Sequence, residues 1–329
     1  MQRFLVIGSN SFSGASFVSH LIDRGYEVVG VSRSEEPNDV YLPYRWESGQ
    51  DRFRFHALDL NKDLQSIIDI IHEGKFEYIV NFAAQGMVAQ SWITPEDWYQ
   101  TNVVAQVKLH NCLRKFDFIR KYVHVTTPEV YGSTEGWIKE SFSFAPSTPY
   151  AVSRAACDLH LMSFYKAYGF PVSFTRAANV FGPGQQLYRI VPRAILAART
   201  GRKLALHGGG SSVRSFIDIA DVVRATEEVA LNGTPGETYH ISTRDLISIR
   251  DLVSRIAAKV GLTLHDIADV GDERLGKDQA YMLDSGKLRS ELGWFDQLSL
   301  DQGIDRTISW VDRHLDVLAV LPSDYIHKP

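Results

Sequence analysis

The chain has 329 residues, enough for two domains or one enlarged α/β domain at roughly 150 residues per domain. Its 35 Lys and Arg against 39 Asp and Glu give a formal charge of −4, with 44% hydrophobic residues, which excludes a disordered chain and one that grips nucleic acid through bulk positive charge. Two cysteines without a C-x-x-C pair, and no apolar run near the roughly 20 residues of a membrane span, point to a cytoplasmic α/β protein with no disulfide framework, no metal site and no membrane contact.

The first half alternates two hydrophobic periods. Phe4–Ile7 is a wholly apolar run, as expected of a strand buried on both faces of a parallel sheet. It stops at Gly8, and the spacing of Phe17, Val18, Leu21 and Ile22 predicts a helix over Phe12–Arg24. Further strands are expected at Val28–Val31, Phe53–Leu58, Tyr78–Phe82, Tyr122–Val125 and Val172–Thr175, with helices near Leu64–His72, Glu96–Phe116 and Tyr150–Tyr168. Strands alternating with helices predict a doubly wound parallel sheet of the Rossmann kind over residues 1–178. Beyond it the rhythm loosens. Gly182-Pro183-Gly184 and Gly208-Gly209-Gly210 break the chain, with helices expected at Ile190–Thr200, Ile219–Leu231 and Ile249–Val260. Residues 179–329 read as a smaller mixed cap that closes a substrate pocket against the sheet. Segments near 212–245, including Phe216-Ile217 and Tyr239–Ile241, are able to return to the sheet.

The turn Gly8-Ser9-Asn10-Ser11-Phe12-Ser13-Gly14 joins the first strand to the first helix. A dinucleotide turn needs glycine for the bend, small side chains beside the pyrophosphate and a helix start aimed at it. Gly8 and Gly14 hold the outer positions, and Ser11 stands where a middle glycine is expected. The second strand ends in Ser32-Arg33-Ser34 without the acid that would hold a ribose 2′-hydroxyl. Arg33 is suited to a 2′-phosphate, so NAD and NADP both stay open.

Three further segments fall at strand ends: Asn81-Phe82-Ala83-Ala84-Gln85, Thr126-Thr127-Pro128-Glu129-Val130-Tyr131-Gly132 and Pro149-Tyr150-Ala151-Val152-Ser153-Arg154. With Thr101-Asn102, Gly182-Pro183, Arg214–Ile217, Asp221 and Asp284…Lys287…Leu292-Gly293-Trp294 in this order, the chain resembles the extended short-chain dehydrogenase/reductase superfamily. Within it, it resembles the nucleotide-sugar 4,6-dehydratases, those of GDP-mannose and dTDP-glucose. The resemblance implies an NAD- or NADP-dependent lyase that oxidises a nucleotide hexose at C4, loses water across C5–C6 and returns hydride to C6.

It also implies the site. Tyr150 would take the proton of the sugar 4-hydroxyl, with Thr127 sharing that hydroxyl's hydrogen bond. A phenol of pKa near 10 must become more acidic to do so at neutral pH. The family's lysine four residues later is Arg154 here, a permanent charge on the same helical face. Glu129 would remove the C5 proton. Pro128 replaces the acid of the dTDP-glucose enzymes, and Thr-x-Glu is closer to the GDP-mannose pattern, where one Glu serves both proton transfers. Decarboxylases carry Thr-x-Glu too, so a 4-epimerase, a decarboxylase and a non-catalytic nucleotide-binding homologue stay open. The cofactor would lie along Gly8, Ser11, Phe12, Gly14, Arg33, Asp59, Leu60 and Ala83, reaching Tyr150 and Arg154. Gln85, Asn179, Arg214 and Arg274 would face the sugar nucleotide. Arg189 and Arg193 read as solvated, and Tyr131 as packing. Val103–Leu113 and Ala151–Met162 carry apolar residues suited to the superfamily's intersubunit helix bundle, which implies a homodimer.

Overall fold

The computed structural model describes residues 2–46, 49–271 and 282–328. In chain order the cofactor half runs β1 (Arg3–Ile7), α1 (Phe12–Asp23), β2 (Glu27–Ser32), β3 (Phe53–Ala57), α2 (Leu64–Gly74), β4 (Tyr78–Asn81), α3 (Pro95–Tyr99), α4 (Gln106–Leu113), β5 (Lys121–Thr126), β6 (Trp137–Ile138), α5 (Pro149–Tyr168) and β7 (Val172–Ala177). Then follow β8 (Asn179–Phe181), α6 (Ile190–Thr200), β9 (Leu204–His207), β10 (Val213–Arg214), β11 (Phe216–Asp218), α7 (Ile219–Asn232) and β12 (Thr238–Ile241).

Seven strands form one sheet in the order β12-β7-β5-β4-β1-β2-β3, every pair parallel. Beside the central strand β4 lies β1, whose Phe4–Ile7 are buried on both sides because alternate residues serve opposite faces. Phe4 and Val6 pack with α1 and α7, while Leu5 and Ile7 pack with the layer of α2, α4 and α5. The chain builds outward from β1 to β2 and β3, then crosses back to β4. That reversal opens a crevice beyond the carboxyl ends of β1 and β4, the place where such sheets hold ligands.

A second core lies apart from the sheet. It gathers Val191 and Ile195 of α6, Leu204 and Leu206 of β9, and Leu252, Ile256, Ile304 and Trp310 of helices Ile249–Lys259 and Leu300–Arg313. Trp310 Nε1 donates to the carbonyl of Val40 at 3.1 Å, tying the loop after β2 to this core.

Two expectations are revised. Tyr239–Ile241 does join the main sheet as an edge, but Phe216-Ile217 does not: β11 pairs with β8 in a separate two-stranded sheet. The helix expected over Glu96–Phe116 is interrupted by a π-helical stretch, Gln100–Ala105. The wider turn rotates Asn102 into the interior, where it is wholly buried. Such bulges recur at functional sites.

Candidate active site

The glycine turn is built as a close-approach surface. Gly8 has φ +86°, and a Cβ on it would come within 2.7 Å of the Ala83 nitrogen; one on Gly14 would overlap the Gly8 carbonyl oxygen. Ser11 explains why the middle glycine is dispensable. It caps α1: its Oγ accepts from the Gly14 N–H at 3.1 Å and donates to the Gly8 carbonyl at 2.7 Å. The turn is thus closed by a side chain, and Phe12 begins the helix beneath it. A bare backbone and a 12-residue helix start fit a pyrophosphate. Gly14→Ala is expected to weaken dinucleotide retention by about tenfold or more through that clash. Nucleotide content of the purified protein checks it.

Around this turn, Asp59 Oδ1 accepts from the Asn61 N–H at 2.8 Å, and Leu60 is buried beside it. The Ala83 N–H donates to Asn81 Oδ1 at 2.9 Å. Arg33 Nη1 donates to the Lys328 carbonyl at 2.9 Å, and Gln85 Nε2 donates to the same oxygen at 2.7 Å. Arg33 follows β2 and Gln85 follows β4, so residues 325–328 pass across the crevice above β1. His327 anchors that passage, bonding Asp97 at 2.8 Å and stacking on Trp98 at 5.0 Å.

Tyr150 and Arg154 lie one turn apart on α5. Thr148 caps that helix by accepting from the Ala151 N–H at 3.1 Å, with Pro149 at its first position. Thr127 similarly caps the 3₁₀ turn that carries Glu129: its Oγ1 accepts from the Glu129 N–H at 3.3 Å, and Pro128 starts the turn. Pro128 therefore presets the backbone of the turn that carries Glu129. Thr127 and Glu129 are both close enough to Tyr150 to act on its phenol.

The electrostatics differ from expectation. Burial pushes the Tyr150 phenol up, and although Arg154, Thr127 and Arg189 pull it back, it stays above its ordinary value. Arg154 is turned partly inward. Its Nη2 donates to the Val125 carbonyl and meets His124 Nε2 at 3.3 Å, while Nε and Nη1 are buried without a partner. Those two donors are consistent with a ribose hydroxyl acceptor in the same crevice.

Three residues make contacts that the sequence does not reveal. Asn102 ties the site together: it accepts from the Gln85 N–H at 2.8 Å and donates to the Gln85 carbonyl and to Ser153 Oγ, both at 3.0 Å. Arg189, read as solvated, is exposed as expected and is also among the charges acting on Tyr150. Tyr131, read as packing, does pack with Val130, Ala155 and Leu283, and it is also hydrogen-bonded to Arg176 and His240. On the cap side, Asn179 Nδ2 donates to the Ser215 carbonyl at 3.3 Å, which places Asn179 beside the strand ending at Arg214. Arg214 Nη1 bonds the Val213 carbonyl at 2.8 Å. Arg274 lies outside the described residues. Among the described residues no group of three or more His, Cys, Asp or Glu could hold a metal ion, and no helix is long and apolar enough to cross a membrane.

Comparison with known proteins agrees with this geometry. A probable dTDP-glucose 4,6-dehydratase of Sinorhizobium fredii is 29% identical over 94% of this chain and 92% of its own. The dTDP-glucose 4,6-dehydratase of Xanthomonas campestris is 31% identical, covering 94% and 93%. Among solved structures, the dTDP-glucose 4,6-dehydratase of Streptomyces venezuelae, with NAD bound, superposes with a TM-score of 0.88 at 30% identity over 96% of this chain and 98% of that one. The model of the GDP-mannose 4,6-dehydratase family matches residues 5–307. The chain belongs to that family, the nucleotide-sugar 4,6-dehydratases of the extended short-chain dehydrogenase/reductase superfamily.

Proposed function

We propose that this protein is an NAD(P)-dependent lyase that converts a nucleotide hexose to its 4-keto-6-deoxy form. The observation that carries the proposal is the meeting of Thr127, Glu129 and Tyr150 from two separate segments. The nicotinamide, when bound, supplies a reversible hydride acceptor beside the sugar. Tyr150, supported by Arg154, takes the proton of the 4-hydroxyl as C4 is oxidised. The C5 hydrogen, now α to a carbonyl, is acidic enough for a carboxylate, and Glu129 removes it. With Pro128 in place of a second acid, Glu129 hands that proton to the departing C6 hydroxyl. Water leaves, hydride ends on C6, a proton is returned to C5 to balance the one Tyr150 took from the 4-hydroxyl, and no net redox change remains.

Gly8, Ser11, Phe12, Gly14, Arg33, Asp59, Leu60 and Ala83 are assigned to the cofactor, and Gln85, Asn179, Arg214 and Arg274 to the sugar nucleotide. Residues 1–178 with the stretch 212–245 would hold the cofactor and 179–329 the sugar nucleotide; the second core, drawn almost wholly from residues 181–318, supports this division, while Leu288 and Trp294 pack with the sheet. Free Cys112 and Cys157 are in keeping with a cytoplasmic setting. The test is a mass-spectrometric screen of GDP-, dTDP-, UDP- and CDP-hexoses for loss of one water. Pro128 favours one second reading, a 4-epimerase with Glu129 as a binding group, which would give a product of unchanged mass.

We also infer a homodimer. Trp92, Ile93, Val152, Leu159 and Tyr168 are exposed on the segment before α3 and on α5, an apolar face that suits a second copy. Ile93→Asp combined with Leu159→Asp is expected to give monomers by sedimentation equilibrium. A wild-type protein that is already monomeric at micromolar concentration contradicts the inference.

A further inference from the structure

The two segments that carry the proposed chemistry share a buried polar anchor that the reaction itself does not use. Asp158 lies one turn beyond Arg154 on α5 and is wholly buried. Its Oδ2 accepts from Thr126 Oγ1 at 3.0 Å, the residue before Thr127, and from Arg176 Nη2 at 2.9 Å. Arg176, on β7 and also wholly buried, donates through Nη1 to Tyr131 Oη and, at 3.0 Å, to the Ser141 carbonyl. Its guanidinium sits 4.8–5.5 Å from the rings of Tyr131, Phe142 and Phe144. Tyr131 ends the 3₁₀ turn that holds Glu129 and bonds His240 Nε2 at 2.8 Å. The other carboxylate oxygen, Asp158 Oδ1, lies 3.6 Å from His124 Nε2, which meets Arg154 at 3.3 Å.

A buried ion pair is a poor way to gain stability, since well-packed apolar residues of similar volume often do as well or better. Its value here is geometric and electrostatic. We propose that Asp158 and Arg176 are positioning residues: they fasten the turn of Thr127 and Glu129 to the helix of Tyr150 and Arg154, and they set the net charge beneath Tyr150. The inference rests on the reading of those four residues given above.

The charges facing this region come from every packed element. Arg154 and Asp158 stand on α5, Arg176 on β7, Glu129 on the 3₁₀ turn and Arg189 at the start of α6. His124 on β5 and His240 on β12 are held neutral, burial pushing the first well below its ordinary value and the second down to about 3. Burial pushes the Asp158 carboxyl up while Arg176 and Arg154 pull it down; with it ionised, Arg154, Arg176 and Arg189 against Asp158 and Glu129 leave one excess positive charge. Removing the aspartate charge favours tyrosinate, and removing Arg176 disfavours it. Eight residues of helix separate Tyr150 from Asp158, about 12 Å, a span over which a unit charge at an effective dielectric of about 20 moves a pKa by on the order of one unit.

The test uses the holoenzyme and two readouts. Ultraviolet difference titration of each protein against its Tyr150→Phe counterpart reports the ionisation of Tyr150 alone and needs no substrate, so it stands even if no nucleotide hexose is dehydrated. Asp158→Asn is expected to lower that midpoint and Arg176→Met to raise it, with the acid limb of kcat/KM moving the same way. Tyr131→Phe changes no charge and removes one hydroxyl. It is expected to lower kcat by about threefold to tenfold with KM and the pH profile unmoved, and it covers the case in which a charge variant does not fold. Midpoints that stay put in both charge variants overturn the electrostatic half of the proposal, and a Tyr131→Phe enzyme with wild-type kcat overturns the positioning half.

Discussion

Tyr150→Phe is expected to lower kcat by about 10³-fold while dinucleotide and sugar-nucleotide binding, measured by calorimetry, stay within about twofold of wild type. The substitution removes one oxygen, and Thr148 and Pro149 still start the helix, so the fold has no reason to change. What is lost is the only phenol that Thr127, Arg154 and Glu129 all act upon among the described residues. The same environment sets the pH dependence. Burial holds the phenol above its ordinary value and Arg154 pulls it down, so the active tyrosinate fraction rises with pH. Arg154→Met removes that pull, and the acid limb of kcat/KM is expected to move to higher pH. A limb that moves to lower pH contradicts the assignment of Arg154 as the supporting cation.

Glu129→Gln should separate the two halves of the reaction. Oxidation at C4 does not need the carboxylate, so the absorbance of reduced nicotinamide is expected to build up on mixing with substrate. Loss of water should fall by about 10²- to 10⁴-fold, the usual worth of a positioned acid–base group. Tyr150→Phe shows neither event, which makes the pair diagnostic. A Glu129→Gln enzyme that dehydrates at the wild-type rate would move the proton transfers to another group, and one that never reduces the cofactor would place Glu129 in binding.

The helix caps Ser11 and Thr148 emerged only from the structure, whereas the central sheet was legible because β1 writes both its faces into one apolar run, Phe4–Ile7. Helix Ile190–Thr200 is found at its predicted bounds for the same reason: apolar residues at helical spacing before a glycine. The π-helical stretch at Gln100–Ala105 was not legible, since one wider turn leaves the apolar pattern on either side intact. Contacts between distant segments were equally hidden. Arg33 and Gln85 meet at one carbonyl although 243 residues separate Gln85 from Lys328. Asp158 and Arg176 announce themselves only as charges inside otherwise packed elements, and their pairing depends on how α5 lies on β7. Tyr150 was found by pattern, but its raised pKa was not foreseen, because burial is a property of the closed site rather than of the nearby arginine.

The central claim is that one site oxidises C4, expels water and returns the same hydrogen to C6. A nucleotide hexose carrying deuterium at C4, presented with unlabelled cofactor at catalytic enzyme, tests it most directly. The expected product is lighter by one water and carries the deuterium at C6. A product that keeps deuterium at C4, loses it to the pool of cofactor or solvent, or retains the full mass of the substrate would contradict it.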